Sequence, residues 1–281
     1  MSLRADDAGH RGRALAVARI ALGIVLVVRT TALANLVPTP LAHVRSLLFG
    51  WPEPGWPFAW WGVALPGELR EVLCVVRTLA ALAFLLGVRA RVAGIIAGGC
   101  GLIALSQDPF GFIFTLHTLF LGTIVLALTS GTNHLALWPG PRIESAEDVR
   151  SSERLVWVLV ASVYAASAIA KLHGEWLTGG TLLALAEDGL LSPSLGHLVR
   201  DHAGLRLAAA LSVVLVELAL PAALFFPRSR TAGMICAIAF HGVVEIAMRP
   251  DVMGWVMCAL LLAFLPPVVS GRTCPSVQSR S

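Results

Sequence analysis

The chain has 281 residues, of which 57% are hydrophobic and 14% charged, with a net charge of +4 at pH 7. A soluble domain of this length is far more polar, so the composition excludes an ordinary globular protein and points to the bilayer. The surplus arginines are spread over successive loops, which the membrane explains without a nucleic-acid partner.

Apolar windows long enough to cross a membrane occur at about 14–35, 71–88, 91–106, 112–130, 155–171, 207–227, 231–248 and 252–269. Runs of this length fit helices and not the alternating strands of a barrel. The expected fold is an all-α integral membrane protein, a bundle of about eight transmembrane helices. It divides into a cytoplasmic leader (1–13), a single transmembrane domain (14–269) and a cytoplasmic tail (270–281). The first window has a basic leader and the triplet Ala32-Leu33-Ala34, which together resemble a cleavable signal peptide. An even span count and the charge pattern favour a retained helix instead. Segment 51–61 contains Trp51, Trp56, Trp60 and Trp61 among three prolines, too many for a helix, and is expected at headgroup level. The third window is short and contains Gly98, Gly99 and Gly101, which suit close helix packing.

The loop charges give an orientation. Arg4, Arg11 and Arg13 precede the first window, and Arg89 and Arg91 separate the second from the third. Arg142, Arg150 and Arg154 lie between the fourth and fifth, Arg228 and Arg230 between the sixth and seventh, and Arg272 and Arg280 in the tail. All fall on one side of an eight-span path, whereas Glu53, Glu68, Asp108, Glu175, Glu187, Asp188, Asp201 and Asp251 fall on the other. By the positive-inside rule both termini are cytoplasmic.

Of the 21 basic residues only Lys171 is a lysine. An arginine keeps its proton in a protein, whereas a desolvated lysine can give it up and act as a base. Lys171 ends the apolar run Leu155–Ala170, and Tyr164 (the only tyrosine) and Ser167 share its helical face at i−7 and i−4. Other costly polar groups lie within the windows: Arg29, His117, Glu217, and the i, i+4 pair His241 and Glu245. Most fall at a similar depth towards the exterior, so they are expected to share one cavity. Each also has a structural reading, as a snorkelling helix-end arginine, a histidine bonded to a carbonyl or a buried aromatic. Trp176 and the Gly179-Gly180 pair follow in an expected turn or re-entrant segment. The five cysteines are scattered singly with no zinc spacing, so no metal is expected.

The run Tyr164-x-x-Ser167-x-x-x-Lys171-Leu-x-x-x-Trp176-x-x-Gly179 resembles the signature of the HTTM family, the membrane module of vitamin K-dependent γ-glutamyl carboxylase. Three more segments resemble that module in the expected order: His117-Thr-Leu-Phe-Leu-Gly122, Glu217-x-x-x-Pro221 with Arg228 and Arg230 after it, and Phe240-His241 ahead of Pro250 and Val252-Met253. The resemblance covers most of residues 14–269. It implies that Lys171 is the base that deprotonates a reduced naphthoquinone (menaquinol or vitamin K hydroquinone) on the extracytoplasmic side. In the carboxylase, oxygen then attacks the hydroquinone anion, and an epoxide and a strong base form. That base removes a γ-proton from a glutamate, and carbon dioxide adds. His117 matches a histidine counted in the family's active site, and His241 is expected to line the same cavity. Tyr164, Trp176, Arg29, Glu217 and Glu245 are expected to bind substrate.

Two departures matter. The carboxylase carries a large soluble C-terminal region that helps bind its protein substrate, whereas this chain ends shortly after its last window. Ala170 stands where the carboxylase has a second lysine beside the catalytic one. Carboxylation of a dedicated protein is therefore not expected. Short bacterial members include partners in the maturation of secreted peptide toxins. Three readings follow: a bacterial inner-membrane enzyme of the lyase or monooxygenase type coupled to peptide modification, a non-catalytic accessory or maturation partner, and a transporter. The last has no inverted repeat to support it.

Overall fold

The computed structural model describes residues 5–30, 67–106, 114–139, 145–248 and 252–265. The Trp-rich segment 51–61, the Ala32-Leu33-Ala34 triplet and the tail 270–281 lie outside these residues. Among the described residues there are eleven α-helices and no strand. They are α1 (Ala5–Thr30), α2 (Gly67–Leu86), α3 (Ala90–Ser106), α4 (Phe114–Leu128), α5 (Ala146–Ala170), α6 (Gly174–Leu177), α7 (Gly180–Glu187), α8 (Pro193–Asp201), α9 (Ala203–Phe225), α10 (Arg230–Met248) and α11 (Met253–Leu261). A 3₁₀ turn, Leu262–Phe264, extends the last.

Each of the eight apolar windows contains one helix, with shifted ends. α1 begins at Ala5, so its helix includes residues 5–13 of the expected leader. The fifth helix starts nine residues before its window, since Ser145 and Asp148 form a reciprocal capping box at its N-terminus. The stretch containing Trp176 and Gly179-Gly180, expected as a turn or re-entrant segment, opens a run of three short helices, α6 to α8.

Three helices, α5, α9 and α10, are long and apolar enough to cross a membrane, and only 39%, 28% and 22% of their apolar windows are buried by protein. What remains is an apolar exterior, including Leu215 at 66% and Ile246 at 77% exposure. Such a surface is stable facing lipid and not water. The other apolar helices, on α2, α3, α4 and α11 with its 3₁₀ turn, are shorter, at 10–17 residues. The chain is thus an all-helical protein of membrane character.

α1 lies at the centre, packed on α2, α4, α5 and α11, while α5 packs on α9 and α9 on α10. Their shared core includes Leu15, Leu22, Leu26, Phe84, Leu119, Val160, Tyr164 and Met257. A smaller core joins α6, α7, α8 and α9 through Trp176, Leu185, Val199, Ala210 and Val214. Close packing in the third helix is found at two of the three expected glycines. A Cβ at Gly101 would lie 2.2 Å from the Phe120 ring and one at Gly98 would lie 2.5 Å from Ile124, both on α4, whereas Gly99 faces open space.

The turns after α2 and α4 meet, Val88 of one bridging Trp138 of the other. Arg19, fully buried within α1, donates to the carbonyls of Phe84 (3.0 Å) and Leu135 (2.9 Å). This adds a donor to the Phe84 carbonyl, which also accepts the Gly87 N–H (3.2 Å) at the end of α2, and another to the turn after α4. The same end contains Arg11, Glu153 and Arg230 in one ion cluster. Lys171 lies 18 residues beyond Glu153 on α5, about 27 Å along the axis at 1.5 Å per residue.

The α3–α4 contact gives a direct test. Gly101→Ala should lower stability against SDS unfolding by roughly 1–3 kcal/mol through overpacking on Phe120. Gly99→Ala should leave it unchanged or raise it by up to about 1 kcal/mol, the gain in helix propensity.

Candidate functional site

Lys171 caps the C-terminus of α5, its backbone N–H donating to Ala168 and Ile169. From there its side chain folds back along its own helix. The Nζ donates to the Ser167 hydroxyl and, at 3.3 Å, to the Ser167 carbonyl. It also reaches both carboxylate oxygens of Glu217 on α9, at 3.0 and 2.9 Å. The Ser167 hydroxyl in turn donates to Glu217 Oε1 at 2.9 Å. The amine lies 5.3 Å from the centre of the Trp176 ring, within cation–π range. Trp176 is fixed from behind, its indole N–H donating to the Ala210 carbonyl at 3.1 Å.

Sequence position explains why these groups converge. Ser167 and Lys171 are i and i+4, so they share a face of α5. Pro221 stands four residues after Glu217 and has no N–H, so the Glu217 carbonyl loses its usual i+4 donor on α9. The Pro221 carbonyl accepts from Trp157 Nε1 at 3.1 Å, which ties α9 to α5 on the same side. Gly179 has φ +80°, and a Cβ there would lie 2.8 Å from Arg206. Glycine at this position lets the chain turn from α6 into α7 and bring Trp176 under the amine.

Two turns back along α5, the Tyr164 hydroxyl shares a 2.8 Å hydrogen bond with His241 Nε2 on α10. Both side chains are buried, and Phe240 packs edge-on against the imidazole at 5.3 Å. Glu245, one turn after His241, faces Gly254 of α11, where a Cβ would meet its carboxylate at 3.1 Å. Tyr164, Ser167 and Lys171 therefore form one polar line on α5, answered by His241 on α10 and Glu217 on α9.

The geometry brings together Lys171, Glu217 and Trp176 in one set and Tyr164 with His241 in the next. His117 on α4 and Arg29 on α1 are half-buried and engaged with other groups. Glu217 is also not a free ligand-binding carboxylate, since it is the counter-ion of Lys171. The amine is thus held as one partner of an ion pair. Among the described residues no group of three or more histidine, cysteine or acidic residues is placed to hold a metal.

Sequence reading missed the second charged cluster. Glu153, buried on α5, is gripped by Arg11 of α1 and Arg230 of α10. The clue was the capping box at Ser145, which places residue 153 inside a helix and not in a loop. Arg19 was equally legible as an arginine within the otherwise apolar run 14–28.

An all-helical membrane-type protein with a lysine–serine–glutamate triad at the end of one long helix is the class that fold and site define. The family model of the HTTM domain matches residues 10–268, and the chain belongs to that family. This domain is found in vitamin K-dependent carboxylase-like membrane proteins. Comparison with curated proteins and with solved structures returned no match.

Both polar sets should register as stability. Tyr164→Phe removes one buried hydrogen bond and should lower stability in detergent by about 1 kcal/mol. A double-mutant cycle of Lys171→Met and Glu217→Gln should show a favourable coupling of about 0.5–3 kcal/mol. Strict additivity of the two changes in SDS unfolding would show that the pair does not form.

Proposed function

We propose that the chain is a membrane enzyme of about eight spans, with both termini cytoplasmic in a bacterial inner membrane. Lys171 acts as a base on a reduced naphthoquinone, in a reaction with oxygen coupled to modification of a peptide on the extracytoplasmic side. The observation that carries this reading is that the chain's one lysine lies in a bonded triad with Ser167 and Glu217 over the face of Trp176.

The chemistry of the residues fits such a ligand. Trp176 offers an aromatic face beside the amine, and the exposed apolar sides of α9 and α10 suit a lipid-soluble ring. When bound, the quinol supplies an acidic ring hydroxyl and the electrons for oxygen. The chain supplies proton handling. An ammonium paired with a carboxylate must lose a proton before it can accept another. Glu217 is the nearest acceptor, and Ser167 bridges the two, accepting from Lys171 and donating to Glu217. In this reading a proton moves from Lys171 to Glu217, directly or through Ser167, and the freed amine takes one from the ligand. Tyr164 and His241 hold α5 against α10 and so fix the direction of the amine.

A second reading, a non-catalytic accessory or maturation partner, is favoured by a different feature of the same residues. Lys171, Glu217, Tyr164 and His241 satisfy one another, as polar groups that only hold helices together do.

The two separate on one assay. Purified protein in nanodiscs, given menaquinol and oxygen, should form the quinone epoxide. Lys171→Arg keeps the charge yet should lose at least about 100-fold in rate, the range associated with a positioned acid–base group. Equal epoxide from wild type, Lys171→Arg and Lys171→Ala would remove Lys171 from the reaction. No epoxide from wild type that nevertheless co-purifies with quinone would favour the accessory role.

A further inference from the structure

The end of the bundle opposite Lys171 contains a charged cleft that the proposed reaction does not use. The buried Glu153 carboxylate is shared, with Arg11 on one oxygen and Arg230 on the other. Two guanidinium groups around one carboxylate leave a net positive charge. Arg230 also donates through Nε to the Leu224 carbonyl at 3.1 Å. Among the described residues the buried Arg11 Nε–H has no hydrogen-bond partner, as is also true of Arg19 and Arg206. A buried donor without an acceptor is costly, and an acceptor entering from outside would relieve that cost. Beside these groups is a cleft of about 120 Å³, lined by Arg11, Glu153, Arg230, Thr231, Pro227 and Phe264. That is large enough for a tetrahedral oxyanion and not only a single water.

We infer that this cleft binds a phosphate group, held by Arg11 and Arg230 with the Thr231 hydroxyl. Guanidinium forks match phosphate oxygens in geometry and charge, which a chloride or a neutral solute cannot do. The surroundings favour the headgroup of an anionic phospholipid as the source. The cleft lies at the N-terminal ends of α5 and α10, whose flanks are apolar, and its own rim includes Pro227, Phe264 and Leu265. Exposed arginines at Arg13, Arg154 and Arg228 flank its residues in sequence. Basic pockets between membrane helices favour anionic headgroups on this physical ground. Glu153 sets the affinity from within, because it competes with the ligand for both guanidinium groups.

The full chain, delipidated in detergent and given equal phosphatidylglycerol and phosphatidylcholine, should retain the anionic lipid by native mass spectrometry. The expected preference is about fivefold, the scale of one basic side chain beside an anionic headgroup. Arg11→Gln should bring it close to parity. Glu153→Gln, which removes the competing charge and keeps the shape, should raise retention severalfold. Thr231→Val leaves both ion pairs intact and should weaken binding without loss of fold, so the inference remains testable if Arg11→Gln unfolds. Thermal stabilisation of wild type by millimolar inorganic phosphate, absent in Thr231→Val and without lipid preference, would identify free phosphate as the source and uphold the site. Equal retention of both lipids by wild type, with no stabilisation by phosphate, would overturn it. So would unchanged binding in Thr231→Val together with Glu153→Gln.

Discussion

The structure depends on charge being neutralised at both ends of one apolar helix. α5 buries Glu153 near its start and presents Lys171 at its end, about 27 Å apart, close to the thickness of a bilayer's hydrocarbon core. Glu153 ties α5 to α1 and α10, and Lys171 ties it to α9. Between these points the helix is largely apolar, with the Trp157–Pro221 bond to α9 and the Tyr164–His241 contact to α10. In lipid the hydrophobic effect does not separate a helix–helix contact from a helix–lipid contact, so polar bonds and close packing fix the arrangement.

The same bonds set what the chemistry can be. A lysine in an apolar setting without a counter-ion would stand as a neutral amine, ready to accept a proton. Lys171 instead has Glu217 at hydrogen-bond distance and Ser167 between them. Base chemistry then depends on moving a proton within the triad before any ligand is touched. In the proposed reaction Glu217 would act together with Lys171. The small domain of α6, α7 and α8 does not add charge to this set. Its contribution is to seat Trp176 on α9 and so place an aromatic face beside the amine.

Much of the fold was legible because helices in an apolar setting announce themselves by length and composition. All eight windows hold a helix. Boundaries were less legible, since a window ends where polarity begins, whereas a helix ends where its caps are. Ser145 and Asp148 begin α5 nine residues before its window, and that difference hid Glu153 inside a helix. The site was half legible. Periodicity alone placed Tyr164, Ser167 and Lys171 on one face, and i, i+4 spacing placed Glu245 a turn from His241. Depth arguments then grouped Arg29 and His117 with them. Depth fixes height along the bundle and says nothing about which side of a helix faces which neighbour.

What the sequence by itself determined is the all-helical, membrane-type class, its family, and the polar face of α5 around its single lysine. These follow from composition, local periodicity and residue type, which need no knowledge of neighbours. Tertiary structure alone decided the partners: Glu217 for Lys171, His241 for Tyr164, and Arg11 with Arg230 for Glu153. Those pairs join residues between 46 and 142 positions apart. Each is fixed by how α1, α5, α9 and α10 rotate and pack against one another, which no local pattern encodes.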